Sequence, residues 1–160
     1  MKIYAGVGSR ETPVPILQVM RRLALRLAAD GWILRSGGAA GADSAFAAGA
    51  GSLAAIFRPE QATSAALSMA ASVHPAWSRC SDYAKRLHAR NCFQVLGLSL
   101  DAPSQFLICW TSDGAISDAD CTIRTGGTGM AIRLADKFHV PIRNLARSDH
   151  LSAALAWLDK

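Results

Sequence analysis

No stretch of these 160 residues is apolar for long enough to cross a membrane. Every extended hydrophobic segment is interrupted by Arg, Asp or Gly, which excludes a helical membrane span. Met1-Lys2 leads straight into a strand-like segment, so no secretory leader is expected and the cytoplasm is the expected compartment. The four cysteines, at 80, 92, 109 and 121, form no CxxC pair, and the expectation is reduced, mostly buried thiols and no metal site. Nucleotide fingerprints are missing as well. Gly6-Val-Gly-Ser-Arg-Glu11 does not complete GxGxxG, and no GxxxxGK[ST] occurs, which argues against a standard dinucleotide site and a P-loop. Neither a repeat nor a low-complexity linker divides the chain, so residues 1–160 read as one domain. Lysine is scarce, appearing only at 2, 85, 137 and 160.

Arginine fills that gap. Of seventeen basic residues thirteen are Arg, and the formal charge is +5. The guanidinium fork matches phosphate oxygens and stacks on bases, so the bias favours phosphate-bearing partners. A composition of 51% hydrophobic and 18% charged residues suits a compact α/β protein with a substantial core.

Hydrophobic periodicity alternates between strand and helix along the chain. Residues 2–7 read as a strand buried on both faces. A helix is predicted from about Pro13 to Asp30, with Ile16, Leu17, Met20, Leu23, Ala24 and Leu27 at helical spacing and Gly31 placed to stop it. Trp32–Arg35 make a second strand, followed by a glycine-rich loop and an alanine-rich helix. Leu53–Phe57 is a third strand, and a helical segment spans about Glu60–Val73. His74-Pro-Ala-Trp77 is a turn, with a helix from about Ser81 to Leu98 after it. Gln105–Trp110 is the fourth strand, Thr125–Gly129 opens another helix, Val140–Leu145 is the fifth strand, and a terminal helix ends near Trp157. This order predicts an α/β, Rossmann-like, doubly wound architecture: a mostly parallel sheet of about five or more strands flanked by helices.

In such a sheet, ligands bind beyond the carboxyl ends of the strands, where the strand order reverses. The polar and glycine-rich segments Gly8-Ser9-Arg10, Ser36 to Asp43, Arg58-Pro59 and Thr111 to Asp113 all fall at strand ends, and Thr125-Gly126-Gly127-Thr128-Gly129 should reach the same rim. Glycines at 37, 38 and 41 allow sharp turning and close approach of a ligand, and the helix N-terminus that follows suits an anion. Trp77 and Trp110 are candidate stacking surfaces for a base, as alternatives to core positions. Asp43 and Asp113 are candidate carboxylates, and His74 and His88 candidate bases. Asp43 could instead cap its own helix. Arg90-Asn91 lies mid-helix, where Asn is disfavoured, and points to hydrogen bonding into the site or to neighbouring backbone.

Gly8-Ser9-Arg10, Ser36-Gly-Gly-Ala-Ala-Gly-Ala-Asp43 and Thr125–Gly129, in this order over nearly the whole chain, resemble the SLOG superfamily, which joins the DprA/Smf DNA-processing proteins to the LOG phosphoribohydrolases. Arg90-Asn91 resembles the Arg-Asn pair of the DprA-like branch. The resemblance implies that Ser9, Arg10, Ser36, Gly37, Gly38 and Gly41 contact phosphate, with Asp43 on a ribose hydroxyl as an alternative to capping. It also implies a homo-oligomer; separately, no cofactor is expected. The LOG signature departs here at two places: its proline is Thr125, and its catalytic glutamate is Arg133, which stays protonated and cannot serve as the assisting carboxylate. Three functions follow as expectations. The first is binding of a nucleotide or nucleotide-derived ligand, the second is single-stranded DNA binding of the recombination-mediator kind, and the third is N-glycosidic cleavage of a nucleoside phosphate with a rearranged acid.

Overall fold

The computed structural model describes residues 1–160. Its elements alternate as the periodicity predicts: β1 (Ile3–Gly6), α1 (Val14–Ala29), β2 (Ile33–Ser36), α2 (Ala42–Ala50), β3 (Ala54–Ile56), α3 (Ser64–Val73), α4 (Asp82–Leu96), β4 (Leu107–Cys109), α5 (Thr128–Lys137), β5 (Ile142–Asn144) and α6 (Ser148–Leu158). The five strands form one sheet in the order β3-β2-β1-β4-β5, and all four pairings are parallel. The fold is therefore the expected α/β, Rossmann-like one.

Period-two alternation places each strand between two cores. On β1, Tyr4 enters the core formed with Met20, Leu23 and Leu27 of α1 and Phe46 of α2, while Ala5 faces the opposite core with Phe93 and Leu96 of α4 and Met130 and Leu134 of α5. Leu107 and Cys109 of β4 point to the second core and Ile108 to the first. Helices α1 and α2 thus cover one face as the chain winds from β1 out to β3. The chain then crosses by way of α3 and α4 to β4, and α5 covers the other face. Right-handed crossovers require that exchange of faces when the winding direction reverses. The reversal falls between β1 and β4, and their carboxyl ends open the crevice.

Local chemistry sets the boundaries. Pro15 sits in the first turn of α1, where its missing N–H is harmless. The helix expected from Glu60 divides into a short helical turn at 59–61 and α3 proper, because the Thr63 hydroxyl caps α3 by accepting the Ala66 N–H at 3.1 Å. Ser81 caps α4 in the same way through Ala84. Helix α1 lies against α2 so closely that a Cβ on Gly49 would come within 2.2 Å of the Arg21 carbonyl oxygen. No helix is long and apolar enough to cross a membrane.

Candidate nucleotide-binding site

The main cavity, of about 660 Å³, opens at the carboxyl rim over the strand-order reversal. That size suits a small ligand of nucleotide dimensions. Its walls come from three places: the turn Gly8–Glu11 after β1, the α4 residues His88, Arg90, Asn91 and Gln94, and the loop Ile123–Thr128 leading into α5, with Ala39 and Asp43 closing one side.

The turn after β1 is a rigid wall. Ser9 N–H donates to the Trp110 carbonyl, extending the β1–β4 pairing beyond the strands, and the Ser9 hydroxyl accepts the Glu11 N–H at 3.0 Å. Thr12 donates its hydroxyl to the Ser9 carbonyl at 2.6 Å. Arg10 then projects, exposed, from a fixed backbone.

Arg90 and Asn91 tie the two glycine loops to α4. Arg90 Nη1 donates to the Gly37 carbonyl at 3.2 Å, and Asn91 Nδ2 donates to the Gly127 carbonyl at 3.4 Å. The pair thus bonds to neighbouring backbone, and both side chains also line the cavity. Gln94, one helical turn on, is 1% exposed, and neither of its amide atoms has a partner within the protein. A buried carboxamide left unpaired is costly, and a polar ligand or water in the cavity would satisfy it.

The glycines of the two loops play different parts. A Cβ on Gly37 would meet Gln94 Nε2 at 2.4 Å and Arg90 Cζ at 2.8 Å, and one on Gly38 would meet Ile56 at 2.9 Å. Gly41 adopts φ 86°, with Arg10 Cα 3.0 Å from where its Cβ would stand. These three glycines are required by the protein's own packing, and none of them lines the cavity. Gly126 and Gly127, by contrast, have nothing within 4 Å of a Cβ position and border the cavity directly. They precede the N-terminus of α5, where Gly129 and Met130 donate their N–H groups back to the Gly126 and Gly127 carbonyls at 3.1 and 3.4 Å, while the N–H groups of Gly126, Gly127 and Thr128 have no acceptor within the protein.

Asp113 holds this second loop. Its carboxylate accepts hydroxyls from Thr111 (2.8 Å), Thr122 (2.8 Å) and Thr125, and the Ala115 N–H at 3.3 Å. Burial alone would raise its pKa, but those hydrogen bonds outweigh it and hold the carboxyl well below the usual carboxylate range. An acceptor so engaged is a poor proton donor, and Asp113 does not line the cavity. Asp43 does. Burial pushes its pKa up to about 6, against the lowering effect of the Ala39 and Gly37 N–H groups and of the Arg90 and Arg10 charges. Its carboxylate accepts the Ala39 N–H at 3.2 Å, so it braces the loop before α2 rather than capping the helix. Burial, the neighbouring His74 and the charges of Arg90 and Arg133 together draw His88 down to about 4, leaving that imidazole neutral at neutral pH.

Several sequence-predicted positions lie elsewhere. Ser36 is fully buried at the end of β2 and donates its hydroxyl to the Gly6 carbonyl at 2.6 Å. Thr111 is fully buried between Asp113 and Asn144. Arg58 is exposed outside the cavity, and Gly129 is buried against Thr125 and Arg133. Trp110 packs against the α1 core, and Trp77 sits beside His74 and His88, so neither indole borders the cavity. Arg133, at the glutamate position of the LOG signature, pairs with Asp118 at 2.9 Å.

Sequence reasoning passed over Arg124, Ile123 and Gln94. Arg124 is exposed on the cavity wall, and Ile123, 98% exposed, puts an apolar side chain at the lip. The arginine preceding the second glycine cluster was the available signal for the first of these.

No protein-family model matches the sequence, and no curated protein sequence matches it. A solved structure does. It is described as giving structural insights into the unique single-stranded DNA binding mode of DNA processing protein A from Helicobacter pylori. The likeness covers 98% of this chain and 72% of that one, with a TM-score of 0.59 and 19% sequence identity. At that identity the likeness establishes a shared fold.

Proposed function

We propose that this chain binds single-stranded DNA at the carboxyl rim of its sheet, with one nucleotide unit seated in the cavity. The observation that carries the reading is the open glycine cradle at Gly126-Gly127, facing Arg10, Arg90 and Arg124 around one cavity. The ion pairs of the structure belong to Arg22, Arg133 and Arg147, so none of the three cavity arginines is neutralised by a carboxylate at ion-pair distance. Guanidinium groups without a paired carboxylate and the N–H donors of the loop before α5 together suit phosphate oxygens, although Arg90 also donates to the Gly37 carbonyl. The shared fold with a protein whose solved structure concerns single-stranded DNA binding supports a strand over a free ligand. Ile123 at the lip offers an apolar surface for a base, in place of the tryptophans.

A second reading, binding of a free nucleotide or nucleotide-derived molecule, is favoured by the volume of the cavity, about 660 Å³, which suits one nucleotide unit. The resemblance to the SLOG superfamily supports either. Cleavage of the glycosidic bond has less support, since Arg133 is held by Asp118 and Asp113 is held by three threonines.

Fluorescence anisotropy with a labelled oligo-dT, repeated over a range of salt concentrations, tests the first reading. Three phosphate contacts predict a log–log salt slope of about −2, at roughly −0.7 per phosphate for a single strand. Calorimetric titration with mononucleotides and dinucleotides tests the second. Nucleotide binding without oligonucleotide binding would replace the first reading with the second, and no binding in either experiment would remove both.

A further inference from the structure

Beside the cavity, three side chains that the nucleic-acid reading leaves unused converge on one point. His74 follows the last turn of α3, Cys80 follows the helical turn at 77–79, and His88 lies in the second turn of α4. One ligand-type atom from each falls within 4.8 Å of the other two. Cys80 Sγ is 3.8 Å from His74 Nε2, and the two imidazole centroids are 4.5 Å apart. With Zn–N bonds of about 2.0–2.1 Å and Zn–S of about 2.3 Å, a tetrahedral N···S edge measures about 3.6 Å. The observed His74–Cys80 separation is close to that edge.

Ring packing with Trp77 and the Ala76 N–H account for part of this arrangement, but they leave one polar atom without a role. His88 Nδ1 is buried without a hydrogen-bond partner, an uncommon state for a polar atom. No carboxylate joins the group, and the only polar contacts of the thiol other than His74 are a 3.6 Å approach to the Ala76 carbonyl. One thiolate with two imidazoles is a donor set that suits a borderline-soft divalent cation.

We propose that His74, Cys80 and His88 form a three-ligand Zn²⁺ site. The fourth coordination position is left for water or an anion, as in zinc sites that bind exogenous ligands. The ion stands next to the cavity, because His88 belongs both to the cluster and to the cavity wall. In the metal-free chain His74 Nδ1 accepts the Ala76 N–H at 3.0 Å, so the neutral ring carries its proton on Nε2. On loading, that proton moves to Nδ1 and the Ala76 contact is given up. The Cys80 S–H bond breaks, its proton passes to solvent, and a Zn–S bond forms without any change of oxidation state.

The test uses the untagged full chain, stripped with a chelator under a thiol-free reductant. Competition against a chromophoric chelator should show one equivalent of Zn²⁺ taken up. Co²⁺ should give a tetrahedral d–d spectrum with a thiolate charge-transfer band. Cys80→Ser should abolish that band. Cys80→Ser, His74→Gln and His88→Gln should each weaken Zn²⁺ binding by more than about 100-fold, beyond the roughly 10–100-fold that loss of a supporting contact costs. Cys121→Ser should change nothing. Far-UV circular dichroism of the metal-free variants checks folding, and His74, on the more open side, carries the test if His88→Gln does not fold. Absence of uptake, or uptake that the three substitutions leave unchanged, overturns the site. DNA or nucleotide binding by the metal-free chain is measured separately, so failure of this site and failure of the cavity reading are distinguishable.

Discussion

The loop after β2 and the loop before α5 are both rich in glycine and both lie at the same rim of the sheet, yet their glycines answer to different neighbours. In Ser36–Asp43 the space beside each glycine is taken by Arg90 and Gln94, by Ile56, or by the Arg10 backbone. In Thr125–Gly129 the space beside Gly126 and Gly127 is open, and the loop is fastened from beneath by Thr125 on Asp113 and by Asn91 on the Gly127 carbonyl. One loop uses glycine to let the protein pack against itself, and the other uses it to leave room. A glycine-rich sequence is therefore a statement about close approach, and only the surroundings decide whether the approaching body is a side chain or a ligand.

Substitutions at matched positions can break this contrast. Gly41→Ala places a Cβ in a backbone conformation that L residues avoid and against the Arg10 backbone, so equilibrium urea unfolding should show a loss of about 2–3 kcal/mol. Gly127→Ala, at φ −62° with nothing nearby, should keep stability within about 0.5 kcal/mol while weakening oligonucleotide binding about tenfold. Equal effects of the two changes on stability would end the distinction between the loops.

Arg90 touches both sides of the comparison, since it holds the first loop and faces the cavity. Arg90→Ala should weaken ligand binding about 10- to 100-fold, as expected for a lost charged hydrogen bond of about 1.5–3 kcal/mol. Arg90→Lys keeps the charge but loses the fork, and should recover only part of that affinity. Full recovery would show that charge alone matters there.

The smallest effect concerns Asp43, where the first loop meets the cavity. With a folded pKa near 6, its carboxylate is ionised at pH 7.5 and takes up a proton as the pH falls to 5.5. The negative charge facing the ligand is then removed, so affinity for a phosphodiester should rise about fivefold over that range and be flat in Asp43→Asn. A phosphodiester is the proper probe because it does not titrate there. The same shift has a stability consequence. The folded pKa lies above the unfolded value, so burying the ionised group costs stability above pH 6, and that cost is relieved as the pH falls from about 6 towards 4. Asp43→Asn should therefore be at least as stable as the parent at pH 7.5 in denaturant titration.

Strand and helix alternation, the two glycine clusters and the Arg90-Asn91 pair were all legible along the chain, because periodicity and turn chemistry are local and survive without knowledge of the partner. Ser36 is instructive in the other direction. It belongs to the glycine loop in sequence, but one further residue of β2 pairing buries it and turns its hydroxyl to Gly6. Trp77 and Trp110 have the right chemistry for stacking and the wrong location, since their strand and turn present them to packed neighbours instead of the cavity. The His74-Cys80-His88 cluster has no familiar ligand spacing, and it forms only because the turn after α3 folds back over α4.

Local sequence thus determined the elements, their order, and the fact that glycine, arginine and polar groups collect at the carboxyl ends of strands. Tertiary structure decided which of those groups meet. The strand order reverses between β1 and β4, and the chain changes face there. That reversal sets the Gly8–Glu11 turn, Arg90, Asn91 and Gln94, and the Ile123–Thr128 loop around one space, although they lie far apart in the chain. Convergence of this kind depends on long-range packing, which hydrophobic spacing within a single element cannot encode.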